Sequence, residues 1–127
     1  MATLVYGVGA LRAGERRDRP LSALHDECLR AGLVPVVPAG VLAQAWRGGS
    51  GEGPLEMLLA GCRVEPLDEQ SARAVGELAA VSAMADLADL SVVECAIRRR
   101  AAVVTAEPAH VEHIARAAGT QVRVAEV

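Results

Sequence analysis

The chain has no lysine: all 13 of its basic residues are arginine. Against 16 Asp and Glu they leave a net charge of −3, which excludes a generally basic nucleic-acid coat. Arginine suits bidentate phosphate contact better than lysine. Coding bias in a GC-rich genome, which also favours the abundant Ala, Gly and Val, produces the same composition, so composition alone does not identify a functional arginine. No run approaches the roughly 20 apolar residues needed to cross a bilayer, so no membrane association is expected. The N-terminus lacks a basic region followed by an apolar run and a cleavage site, so no signal peptide is expected and the expected location is cytoplasmic. The three cysteines, Cys28, Cys62 and Cys95, are odd in number and form no CxxC. That spacing argues against a disulfide framework or a zinc site and for buried free thiols. Internal repeats and low-complexity tracts are absent, and the one flexible run, Gly48 to Pro54, is too short for a domain linker and reads as a loop.

What is present describes a globular chain. At 127 residues, 52% hydrophobic and 23% charged, it fits one domain spanning 1–127 with a single core. Short β-branched runs at Thr3–Tyr6, Val34–Val37, Cys62–Glu65, Ala101–Thr105 and Gln121–Ala125 predict strands covered on both faces. Helical patterns lie between them at Pro20–Ala31, Ala39–Trp46, Leu55–Ala60, Asp68–Ser82, Leu87–Arg98 and Ala109–Ala118, with Pro38 and Pro108 near helix starts. Strand alternating with helix predicts an α/β fold, a parallel sheet of about five strands sandwiched between helices. Ligands of such sheets sit beyond the carboxyl ends of strands where the strand order reverses. With the first strand at the centre, its exit at Gly7 is expected beside the exit of the fourth strand.

The segment from Ala85 to Pro108 carries the most chemistry. Asp86 and Asp89 open an apolar-faced helix, a short strand follows, and Glu107 stands just past its end. Carboxylates so placed can converge on a hard divalent cation, which takes oxygen ligands. Asp86 also suits an N-cap, with Asp89 favouring the positive end of the dipole, and Glu107 before Pro108 suits a helix entry. The first strand runs into Gly7-Val8-Gly9 with no acid at its exit. A lone G-x-G is a weak dinucleotide signal, and Arg12 stands where its third glycine belongs.

Other polar residues have plain readings. Arg12, Arg16, Arg17 and Arg19 follow the first strand and can reach RNA phosphates, but Glu15 and Asp18 interrupt them and a solvated loop is expected. Arg98, Arg99 and Arg100 close a helix at the negative end of its dipole. His110 and His113, with Glu112 between them in sequence, are read as surface residues, and Trp46 as a residue at the edge of the core.

Five segments in order, LVYGVGAL, VPVVPAGVLAQAWRGG, VEPLDEQSARAVGELAA, ADLADLSVVECA and VVTAEPAHVEHIA, resemble the PIN-domain family, particularly VapC-type toxins of toxin–antitoxin pairs. The resemblance spans nearly the whole chain. It implies a ribonuclease dependent on Mg²⁺ or Mn²⁺, a homodimer, an RNA substrate and an antitoxin partner. Carried over by position, it makes Asp89, Glu107 and Asp86 metal ligands, Gln44 a catalytic-site residue where many members have Glu, and Thr105 a support for the Glu107 loop. Glu107 replaces the family's usual Asp, and a misplacement of about an ångström can cost roughly 10²-fold in rate. Gly7 falls where active members carry the first Asp, leaving a vacant ligand position. The expected function is therefore a metal-dependent endoribonuclease with impaired chemistry. A catalytically inactive RNA- or protein-binding module is the alternative, and a nucleotide-binding α/β domain a third.

Overall fold

Three consecutive buried residues, Leu4–Tyr6, form the central strand β1. The computed structural model describes residues 1–49, 51 and 53–127, so Ser50 and Glu52 of the expected glycine-rich loop lie outside the described residues. After β1 come helices α1 (Val8–Glu15) and α2 (Arg19–Arg30), strand β2 (Val36–Pro38), and helices α3 (Ala39–Ala45) and α4 (Pro54–Ala60). Strand β3 (Arg63–Glu65), α5 (Glu69–Ser82), α6 (Leu87–Arg99), β4 (Ala102–Thr105), α7 (Pro108–Ala117) and β5 (Val124–Glu126) complete the chain.

The sheet order is β3-β2-β1-β4-β5 and every pairing is parallel. Val5 pairs with Val36 on one side and Val103 on the other. The order reverses at β1 and β4, which makes their shared carboxyl end the switch-point crevice of such a fold. Helices cover both faces in a three-layer α/β/α arrangement, with α6 lying across β1, β2 and β4. Val92, Val93, Cys95 and Ala96 of α6 are buried with Val5, Val36, Val37, Val103 and Val104 of the sheet. Burial on both faces holds for β1, β2 and most of β4. It fails at the edges: β3 and β5 are partly exposed, because an edge strand has one neighbour and thin helix cover.

One helix was not visible in the sequence. The segment expected to be a strand exit and then a solvated loop is α1, whose Ala10, Leu11 and Ala13 are buried. Gly9 and Gly14 lower its helix propensity. Its end is also disguised: Arg17 takes the left-handed conformation (φ 56°), with Arg17 N–H donating to Gly14 O and Asp18 N–H to Ala13 O. That Schellman closure usually uses glycine. Asp18 then caps α2, accepting from the Leu21 amide at 3.1 Å.

Strand bounds shift for similar reasons. Gly32 (φ 77°) closes α2 in the same motif, holding Leu33 to Cys28 O, so β2 begins at Val36 rather than Val34. Gly119 (φ 78°) does this after α7, and pairing of Val124 with Val103 places β5 at Val124–Glu126, not Gln121–Ala125. The arginines that end α6 do more than favour its dipole. Arg98 grips Glu65 with two bonds of 2.9 and 2.8 Å and also reaches Glu94, while Arg99 reaches Glu65 at 2.8 Å. These bonds hold the Glu65 carboxyl at about 2, well below its ordinary value. Trp46 is over a third exposed, so it is not sealed at the core edge.

Candidate functional site

The carboxyl ends of β1 and β4 open into a recess of about 320 Å³ lined by parts of four helices. From α6 come Asp86 and Asp89, from the β4 exit Thr105 and Glu107, from α3 Gln44, from α1 Arg12 and Arg16, and from α7 His110. The sequence-predicted residues Asp86, Asp89, Glu107, Gln44 and Thr105 are therefore brought to one place, although they lie up to 63 positions apart (107 minus 44).

Local structure explains how each is aimed. Asp86 is the N-cap of α6, and its Oδ1 accepts the Asp89 amide at 2.9 Å. A capped first turn points Asp89 from the positive end of the α6 dipole into the recess. Thr105, buried at the end of β4, accepts the Glu107 amide on Oγ1 at 2.9 Å, turning the chain into α7. Glu107 takes the N-cap position of α7 without capping it through its side chain, so its carboxylate is left for the recess. Burial raises the Asp89 carboxyl above its ordinary value, and the neighbouring Asp86 and Glu107 push in the same direction; His110 opposes them.

Gly7 bridges the two central strands, its amide donating to Val104 O at 2.9 Å. A Cβ here would stand 3.4 Å from Val104 O and 3.7 Å from Thr105 Oγ1, and the backbone is extended (φ −84°, ψ 179°). A Cβ at position 7 therefore fits without strain. Gly9 is different: a Cβ would fall 2.4 Å from Ala106 Cβ and 2.8 Å from Ala106 N. The second glycine of G-x-G thus serves close packing of α1 on the β4–α7 turn, and Arg12 beyond it is an exposed wall of the recess.

Both histidines are exposed, as expected, yet each has a partner that the sequence did not show. His110 Nδ1 lies 3.1 Å from Asp89 Oδ2. His113 Nε2 meets Ser82 O at 2.8 Å, tying α7 to α5. The Asp89 contact crosses 21 positions, and no local spacing announces it.

The resemblance implies a divalent ion at this donor set. Among the described residues, no group of three or more His, Cys, Asp or Glu side chains is arranged to hold a metal. Asp86 spends one oxygen on its cap, Asp89 faces His110, and position 7 supplies no carboxylate. As arranged, these side chains do not fit a divalent centre.

No family model matches the sequence, and no curated protein matches it. Solved structures do match. VapBC from Salmonella typhimurium, bound to DNA, has a chain superposing with TM-score 0.71 at 16% identity, covering 99% of this chain and 98% of that one. VapBC2 from Rickettsia felis, bound to a DNA fragment from their promoter, gives 0.68 at 14% identity with 98% of each chain covered. FitAB bound to an IR36 DNA fragment gives 0.60 at 18% identity, covering 98% and 94%. The chain therefore has the PIN-like three-layer α/β/α fold, shared over almost its whole length with chains of the VapBC and FitAB complexes.

Proposed function

We propose that residues 1–127 form one VapC-like PIN domain of toxin type, cytoplasmic, paired with an antitoxin protein. Its endoribonuclease chemistry is impaired. The observation that carries this reading is the convergence of Asp86, Asp89, Glu107 and Gln44 on one recess at the switch point of the sheet. Asp89, Glu107 and Asp86 are the acids that remain to attract Mg²⁺ or Mn²⁺, and Gly7 is where a further one is missing. Because Mg²⁺ is bound chiefly through carboxylates and dehydrates reluctantly, the missing acid weakens binding sharply. RNA is the substrate that this reading assigns, and a homodimer is the assembly.

Calorimetric titration with Mn²⁺, run beside an RNA cleavage assay, tests it. Gly7→Asp is expected to raise both metal affinity and cleavage, and Asp89→Asn to abolish what is gained. A Gly7→Asp protein that folds yet neither binds Mn²⁺ more tightly nor cleaves RNA would sink the nuclease reading. The second reading, a binding module without hydrolysis, is favoured by the His110 contact that occupies Asp89. It predicts RNA or partner binding indifferent to chelator.

A further inference from the structure

The recess has two walls of opposite sign. Its acids all come from the start of α6 and the exit of β4, whereas α1 contributes Arg12 and, at its C-cap, Arg16. Spaced i,i+4, the two arginines share one helix face, with about 5–6 Å between Cβ atoms, so both guanidinium groups can converge on one anion. Glu15 of the same helix lines a different recess, with Trp46 and Arg47. Both arginines are exposed, and among the described residues neither forms an ion pair. By contrast Arg73, Arg98 and Arg99 are each matched to a glutamate. With glycine at position 7, the chain segment entering α1 adds no carboxylate to neutralise this wall.

We infer that Arg12 and Arg16 seat a backbone phosphate of single-stranded RNA on the α1 wall directly, with no divalent cation between protein and phosphate. This deepens the reading of the recess as an RNA site and rests on it. A planar guanidinium offers paired donors to phosphate oxygens, and an arginine without a carboxylate partner has those donors to give. A recess of about 320 Å³ is of the size that holds a small ligand, so one nucleotide unit fits it. The opposite wall makes the mode distinctive. Asp89 and Glu107 face the bound phosphate as repelling charges when no metal intervenes. Removing one of them therefore tightens binding, whereas in a metal-bridged mode the same change weakens it.

The test is fluorescence anisotropy of the native chain with a short labelled oligouridylate in EDTA at low salt. Saturable binding is expected. Arg12→Gln and Arg16→Gln are each expected to weaken it, by about 3- to 10-fold, and to lower the salt slope by about 1. Asp89→Asn is expected to tighten it. Arg73→Gln, on the exposed face of α5, is expected to leave it unchanged, and thermal melts confirm that each variant is folded. Binding that requires Mn²⁺ overturns the proposal. So does an Arg12→Gln, Arg16→Gln double variant that binds as tightly as the parent, or equal weakening by Arg73→Gln. Displacement by polyglutamate as effective as by unlabelled RNA would assign the wall to acidic proteins instead. These outcomes are independent of whether Gly7→Asp restores cleavage, so the two proposals fail separately.

Discussion

His110 Nδ1 stands 3.1 Å from Asp89 Oδ2, and the two residues come from helices α7 and α6 that meet over the carboxyl ends of the central strands. An imidazole on one carboxylate oxygen competes with a cation for the lone pairs of that oxygen. In a Gly7→Asp background, replacing His110 with Ala is therefore expected to raise Mn²⁺ affinity, read by calorimetry at fixed pH. A fall in affinity would mean that the imidazole orients Asp89 for the metal, as a supporting hydrogen bond does.

The contact of Gly9 with Ala106 carries a stability prediction. A methyl at position 9 meets Ala106 Cβ at 2.4 Å and the Ala106 backbone at 2.8 Å, and backbone cannot swing aside as a side-chain tip can. Gly9→Ala gains helix propensity on α1 but overpacks the β4–α7 turn, for a net loss of about 1–3 kcal/mol. Chemical denaturation measures it. Unchanged stability would show that α1 slides outward at little cost.

How much of this could be read from residues alone differs between fold and site. The parallel sheet was legible because Val36-Val37 and Val103-Val104 are buried apolar pairs between amphipathic helices. The central place of β1 was only a condition in the sequence reading, since alternation does not fix strand order; the pairing of Val5 with both Val36 and Val103 supplies it. Helix α1 was hidden because its glycines depress propensity and its closing residue is Arg17 rather than glycine. With α1 hidden, the face bearing Arg12 and Arg16 was hidden too. The carboxylates of the site could be picked out, since Asp86 and Asp89 sit at a helix start and Glu107 at a strand end. His110 could not be: its role comes from a partner in a different helix, which only the packing of α7 against α6 supplies.

Acid should weaken the fold in two separable steps. His25 is buried beside Tyr6, with its Nδ1 2.8 Å from the tyrosine oxygen, and burial lowers its pKa below the ordinary 6.5. The folded state thus binds fewer protons than the unfolded chain just below pH 6.5, so this contribution is whole above that value and erodes as pH falls beneath it. Glu65 is held at about 2 by Arg98 and its neighbours, against an ordinary 4.5. Its contribution is whole above 4.5 and is lost as pH falls from there to about 2. Melting temperature followed against pH should decline through both windows. Glu65→Gln should flatten the lower one and leave the upper one intact; a flattened upper window would assign that step to another group.

Ser91 offers a test of how completely the core is satisfied. It is 5% exposed on α6, and among the described residues its Oγ has no hydrogen-bond partner. A buried hydroxyl left unpaired costs about 1–3 kcal/mol, so Ser91→Ala is expected to stabilise the fold by about 1 kcal/mol. Gly40 of α3 lies opposite, where a Cβ would be 3.7 Å from the same oxygen. The measurement is the urea midpoint at unchanged slope, which separates stability from a change in the unfolded ensemble. A loss of stability would show instead that a buried water bonds the hydroxyl. The neighbouring cavity of about 10 Å³, bounded by Ser71, Glu94 and Pro38, is close to the smallest that admits one.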